Sequence, residues 1–356
     1  MSNQMAMESV LFSDSTRQLT DPEKRQWLAD LWKPTKKSSL TVLSSYFELL
    51  HQERVRVAQS CDFNYYNITF KELLIIRDVI CSTCNQSRIE LCDAVALALA
   101  TRPLPLPKET LRDAIKLVIR LLLLTRVEFC DSDEYVLPNQ LKFLEHENLH
   151  NTIRKFQNTP ALYQDSNLRD DIPLWFNVID LEKKAGLRIG WTEYITDHLA
   201  IRNGTLYLFG NLEALKYMKE SDSITGNLLT KRFIHETMRS VWLFFPLNDY
   251  GLMEHDYFEW FDSRGQCTPD EESLLGDCRR EPSPRTLTEY GAWRHQLAYA
   301  LEVSKNQPSW SLRRCWYDDR DQALWWTRWS LIMAVSLSVI FGLIQSITGI
   351  IQVVRP

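Results

Sequence analysis

His146-Glu147-Asn148-Leu149-His150 has the spacing that could do the sharpest chemistry in this chain. On a helix, histidines four residues apart share a face and can hold one zinc, while the glutamate activates a bound water. Charged Glu145 precedes the motif, polar Asn148 sits inside it, and no distinct third-ligand motif follows. A solvated helical face is therefore expected ahead of a zinc-dependent hydrolase built on His146, Glu147 and His150. Cys81-Ser82-Thr83-Cys84 is a lone CxxC. A structural zinc site needs four ligands, usually from a second such pair, and Cys61 and Cys92 would complete a set only irregularly. Two ordinary thiols at a helix end are expected, with no catalytic residue, metal or cofactor assigned.

Lys108, Arg112, Lys116 and Arg120 recur every fourth residue and so fall on one helical face. Four cations in a row could neutralise phosphates. The chain as a whole is acidic, with a net charge of -5, so a solvated or protein-docking face is favoured over nucleic acid or anionic lipid. Asp197-His198 has the residue types of an acid–base pair. No nucleophile can be matched to it from sequence, and a structural histidine at a helix-to-strand junction is expected.

Composition narrows the classes. Only 11 of 356 residues are glycine, and no Rossmann, P-loop or nucleophile-elbow glycine motif occurs. The N-terminus has no basic stretch leading into an apolar run, so no signal peptide is expected. The eight cysteines are then expected as free thiols. The Asn-x-Ser/Thr triplets at Asn67, Asn85 and Asn203 would matter only in a secretory lumen.

The clearest feature is Ser330 to Val354, 25 residues without a charge between Arg328 and Arg355. That is long enough for a transmembrane helix across a ~30 Å hydrocarbon core. Trp325, Trp326 and Trp329 stand at its start, where indoles favour the headgroup region. Arg313, Arg314, Arg320 and Arg328 precede it, which predicts a cytosolic body and a tail-anchored, single-pass arrangement. Ser338, Gly342, Gln345, Gly349 and Gln352 fall on one stripe and form a candidate seam for self-association or pairing with another membrane helix.

The elements that would carry these residues read as mainly α with small β hairpins. Residues 1–19 look loose, and 20–159 form a helical, winged-helix-like domain. Its helices are expected from Pro22 to Trp32, Ser38 to Arg56, Phe70 to Ile80, Arg88 to Ala100 and Lys108 to Leu124. Val127 to Cys130 and Tyr135 to Pro138 read as a hairpin wing. The proline-bounded stretch 160–173 opens a second α+β domain, 160–310. It would hold a helix near Trp191 to Leu199 and a hairpin around Asn203-Gly204. An amphipathic helix over 227–245, an exposed loop over 261–289 and a last helix over 293–303 would follow. A Trp-rich juxtamembrane segment, 311–329, leads into the span.

Several stretches together carry a resemblance. They are Trp191-Thr192, Asp197-His198-Leu199, Leu206-Tyr207-Leu208-Phe209, Leu243-Phe244-Phe245-Pro246, Trp316-Tyr317-Asp318-Asp319-Arg320, Trp325-Trp326 and Phe341-Gly342-Leu343-Ile344-Gln345-Ser346. Over roughly residues 190–356 the chain resembles a group of filamentous-fungal proteins that end in a Trp-rich stretch and one transmembrane helix. Cys315-Trp316 stands where that group carries paired tryptophans. Some members adjoin secondary-metabolite gene clusters, and none has an assigned activity. The resemblance implies a context beside such clusters and no mechanism. The lack of a coherent catalytic set, the few glycines and the anchor point to a non-enzymatic membrane scaffold or accessory protein whose partners are the bilayer and another protein. A zinc-dependent hydrolase and a membrane-tethered nucleic-acid binder are the alternatives.

Overall fold

The computed structural model describes residues 19–34, 43–58, 68–131, 140–158, 170–247, 254–263, 271–306 and 322–354. Residues 1–18, Cys61, Asn67, the 135–138 strand, Arg313, Arg314 and Trp316 to Arg320 lie outside these. The chain is mostly helical. It opens with α1 (Asp21–Trp32), α2 (Ser44–Ala58), α3 (Phe70–Thr83), α4 (Arg88–Ala98) and α5 (Lys108–Leu123). Three of these starts are set locally. Thr20, Thr69 and Ser87 each give their backbone N–H to the carboxylate three residues on, at 2.8, 2.7 and 2.8 Å. That satisfies an N–H which the helix itself leaves unpaired. Proline spacing delays α5 until Pro107, and the helix is then buried without a break from Leu117 to Leu123.

β1 (Val127–Cys130) follows, and its partner among the described residues is not the expected wing strand. It pairs in parallel with β2 (Leu141–Leu144), Val127 opposite Leu141 and Cys130 opposite Leu144. The strand expected at 135–138 lies outside the described residues, so the pairing seen for β1 is this parallel one rather than the antiparallel pairing of a hairpin wing. Parallel pairing lets Val127, Leu141 and Phe143 all enter the core. α6 (Leu149–Gln157) then closes this half, capped by the Asn148 carboxamide, which accepts from Asn151 N at 2.7 Å.

The second half opens on a helical turn at Val178–Asp180 that continues as a π turn over Leu181–Ala185. Then come β3 (Arg188–Thr192), β4 (Ile201–Arg202) and β5 (Thr205–Phe209), in the order β3-β5-β4. The expected helix near Trp191 is therefore a strand plus a single 3-10 turn, Ile195–Asp197. Ile189 packs inward while Gly190 lets β3 approach β5, where a Cβ would sit 3.0 Å from Thr205 Cγ2. The hairpin around Asn203-Gly204 is present, with φ of 51° and 71° at the two residues.

α7 (Leu212–Lys219), α8 (Lys231–Trp242), α9 (Glu254–Asp262), α10 (Glu271–Arg280) and α11 (Arg294–Asn306) complete the body. α8 is shorter at both ends than the 227–245 expected. The expected loop over 261–289 contains α10. Leu274, Leu275 and Cys278 bury one face of it, a spacing that the surrounding charges obscured. One hydrophobic cluster runs from Trp27 to Leu301 across the 160–173 stretch. Within it Trp32 stacks on Tyr217 at 6.1 Å and donates to Leu122 O at 3.0 Å.

α12 (Gln322–Val354) stands apart from that core. It absorbs residues 322–329 of the expected juxtamembrane segment into one helix, long and apolar enough to cross a membrane. Its side chains are open, Leu331 at 67 % and Phe341 at 60 % exposure.

Candidate functional site

α8 organises two polar constellations. Its Thr230 cap accepts from Phe233 N at 3.1 Å, and the helix buries Phe233, Ile234, Met238 and Val241. Polar Glu236, Thr237 and Ser240 are buried among them, and buried polar groups need partners.

Thr237 and Ser240 serve the inner constellation. His198 is held by Phe209 N–H, which donates to Nδ1 at 3.2 Å, and by Ser240 Oγ, 2.8 Å from Nε2. A neutral ring that accepts at Nδ1 carries its proton on Nε2 and donates to the serine. The Ser240 hydroxyl in turn donates to Thr237 O at 2.7 Å. Hydrogen bonds therefore run from histidine to serine to backbone, the reverse of a base activating a nucleophile. Complete burial holds the imidazole neutral, its pKa pushed down to about 3. Trp293 lies edge-on to the ring at 4.7 Å and donates to Thr237 Oγ1 at 2.9 Å. Asp197 does not pair with His198. It is bound by Arg126 at 3.0 Å and by Arg202, so the adjacent acid and base serve separate structural contacts.

The outer constellation is a cleft of about 690 Å³, between α6, the start of α8 and the Gly291-Ala292 segment. Arg154, Arg232, His150, Gln157 and Glu236 line it, over Leu228 and Phe233. Gln157 is fixed by its donation to Leu228 O at 3.1 Å. Glu236 Oε1 accepts from Ala292 N and, at 3.2 Å, from Trp293 N, which caps the start of α11. Arg154 and Arg232 form no ion pair among the described residues.

His146 and His150 do not share a helical face. His146 is exposed in the turn after β2, and α6 begins only at Leu149 because Asn148 is its cap. Glu147 pairs with Lys155 at 2.5 Å, and His150 Nδ1 meets Asn227 O at 2.5 Å. The CxxC reaches the same place: Cys84 Sγ donates to Asn227 O at 3.9 Å, and burial raises both thiol pKa values. Two motifs far apart in sequence thus meet at one backbone carbonyl. Among the described residues no group of three or more His, Cys, Asp or Glu side chains is arranged to hold a metal.

The Lys108, Arg112, Lys116 and Arg120 stripe is not a free cationic face. Arg120 is buried against Glu128 at 2.7 Å and Glu53 at 3.6 Å. Lys116 binds Asp113 at 2.8 Å, Arg112 approaches Asp131 at 3.8 Å with its side chain still 40 % exposed, and Lys108 is exposed. On α12 the seam residues Ser338, Gly342 and Gln345 are exposed, and no heavy atom lies within 4 Å of a Cβ built at Gly342 or Gly349. Ser338 Oγ donates to Ala334 O at 2.8 Å, so its hydroxyl is satisfied within the helix.

The cleft escaped the sequence because its charged residues come from two helices 78 positions apart, Arg154 and Arg232. The available signal was Glu236, a carboxylate on the core-facing side of an apolar helix stripe. Comparison with family models, curated proteins and solved structures finds no match.

Proposed function

We propose that the chain is a single-pass membrane scaffold or accessory protein with no catalytic step of its own, its body facing the cytosol. The observation that carries this reading is α12, whose 26-residue stretch Trp325–Ile350 is apolar apart from its first turn and has no part of its most apolar window buried among the described residues. In water that surface would be strongly unfavourable, at about 25 cal/mol for each Å² of apolar area. In a bilayer it is the solvent-matched surface. Basic Arg313, Arg314 and Arg320, with Arg328 in the second turn of α12, all precede the uncharged run and favour a cytosolic body by the positive-inside rule. The stripe through Ser338, Gly342, Gln345, Gly349 and Gln352 is the surface through which α12 would meet a second helix. The resemblance over residues 190–356 extends the proposal to an accessory role beside a fungal secondary-metabolite pathway.

Alkaline carbonate extraction of membranes tests the anchor. The full chain should stay in the pellet, and a chain ended at Gln322 should move to the supernatant. Protease added outside intact microsomes should digest the body. Release of the full chain by carbonate, protection of the body, or glycans on Asn67 would overturn the proposal.

A further inference from the structure

We propose that the cleft between α6, α8 and Gly291-Ala292 binds a small zwitterion. Arg154 and Arg232 would hold its anionic group, phosphate or carboxylate, and Glu236 would hold a primary ammonium.

The acid supplies the first reason. Glu236 is only 6 % exposed. Its Oε1 is occupied by the Ala292 and Trp293 amides, while Oε2 accepts no hydrogen bond among the described residues. Oε2 is the oxygen left accessible on the cleft side, where a molecule that enters the cleft can donate to it. The second reason is the guanidinium beside it. Arg232 and Glu236 are four apart on α8, where opposite charges normally pair. They form no ion pair here, and Glu236 Oε1 accepts instead from the two backbone amides. Gly291 keeps the space between them open, since a Cβ there would lie 3.5 Å from an Arg232 guanidinium nitrogen and 3.7 Å from Glu236 Oε2. An acid and a guanidinium thus flank one gap without touching, and Arg154 lines the same cleft.

The third reason is shape and floor. A volume of about 690 Å³ suits a small molecule. Phe233 and Leu228 offer an apolar base for the carbon chain that separates the two charges. A bare anion would satisfy the arginines and leave Glu236 unmatched, and a bare amine would do the reverse. A molecule with both groups answers the whole arrangement. The same chemistry occurs in free aminophosphates and amino acids and in the headgroup of an aminophospholipid.

Isothermal titration of the purified full-length chain in maltoside micelles tests this, with O-phosphoethanolamine, β-alanine and O-phosphocholine as probes. O-Phosphoethanolamine or β-alanine should bind. Phosphocholine, whose quaternary nitrogen has no N–H to donate, should bind roughly tenfold or more weakly than phosphoethanolamine. Glu236→Gln keeps an acceptor for the Ala292 and Trp293 amides and should erase that preference. Arg154→Gln with Arg232→Gln changes two exposed side chains and should weaken phosphoethanolamine or β-alanine by roughly ten- to a hundredfold. Competition by phosphatidylethanolamine in mixed micelles would identify a lipid headgroup as the source, and its failure a soluble ligand; either result upholds the site. Absence of binding by both primary amines, equal affinity for phosphocholine, or full affinity in the double arginine variant would overturn it. If Glu236→Gln fails to fold, the probe comparison on the unmodified chain decides.

Discussion

Two apolar helices in this molecule meet opposite fates. α5 lies under α3, α4 and β1, and Leu121, Leu122 and Leu123 are fully buried. α12 is longer and far more apolar, with Arg328 its one charge, yet Leu331, Met333 and Ile350 are each more than 60 % exposed. The difference lies in what the rest of the chain supplies. α5 tolerates Arg120 in its core-facing stretch because Glu53 and Glu128 are placed to neutralise it. α12 has no such neighbours among the described residues and carries no charge from Ser330 to Val354, which is the composition a helix needs when hydrocarbon surrounds it.

Cavity formation separates the two most strongly. Leu122→Ala should lower the stability of the body by about 3 kcal/mol, read by urea unfolding, because the packed core cannot refill the space. Leu343→Ala on α12 should leave that unfolding curve unchanged. Equal losses would mean that α12 packs on the body after all. Charge separates them next. Arg120→Met strips Glu53 of one partner, leaving Arg56 and Tyr194, and should cost about 2 kcal/mol. Val339→Arg puts an unpaired charge near the centre of the span and should disfavour insertion by about 3 kcal/mol, measured as the membrane-integrated fraction. If α12 accepts the arginine without loss, hydrocarbon is not its solvent.

A third test uses the titratable group deepest in the body. Folded His198 takes up a proton only near pH 3, whereas an unperturbed histidine does so near 6.5. Between those values the unfolded chain binds more protons, so stability falls as the pH drops below 6.5. The loss approaches about 1.4 kcal/mol per pH unit and reaches about 2 kcal/mol by pH 5. His198→Gln should flatten this slope. An unchanged slope would show that other groups set the acid response.

Much of this contrast was legible in sequence, for physical reasons that also explain the gaps. The uncharged run in α12, the helical periodicity of α1 and α3 to α5, and the Asn203-Gly204 turn are local signals, each confined to a few neighbouring residues. Capping pairs such as Ser87 with Glu90 could have fixed the helix starts as well. Strand partnership is not local. Nothing within Val127 to Cys130 announces that its partner is Leu141–Leu144 or that the pair is parallel. Lys108, Arg112, Lys116 and Arg120 were correctly spaced along a helix. Their neutralisation depended on Glu53, Glu128 and Asp131, residues on other elements. Asn148 looked like an interior helix position and proved to be a cap, which removed the shared face from His146 and His150. The cleft at Arg154, Arg232 and Glu236 exists only after α6 and α8 have packed.

The smallest effect is expected on α12 itself, where the comparison turns on what covers an apolar helix that the body leaves bare. Lipid is one cover and a second helix is another. Lipid tails give helices no hydrophobic reason to pair, so association depends on close packing and interhelical hydrogen bonds. Gly342 has open space around its missing Cβ and permits close approach. Ser338 already donates to Ala334 O, so it has little left to offer a partner. Gln345 is an exposed amide near the middle of the stripe and should contribute about 0.6–2 kcal/mol. Gly342→Ile with Gln345→Leu should therefore weaken association by several-fold in an in-bilayer FRET titration without abolishing it. Leu343→Ile keeps volume and lies off the stripe, so it should match the parent. If both variants match the parent, lipid is the sole cover of α12 and the stripe is a coincidence of spacing. If both weaken association equally, the contact runs around the helix rather than along Ser338, Gly342 and Gln345.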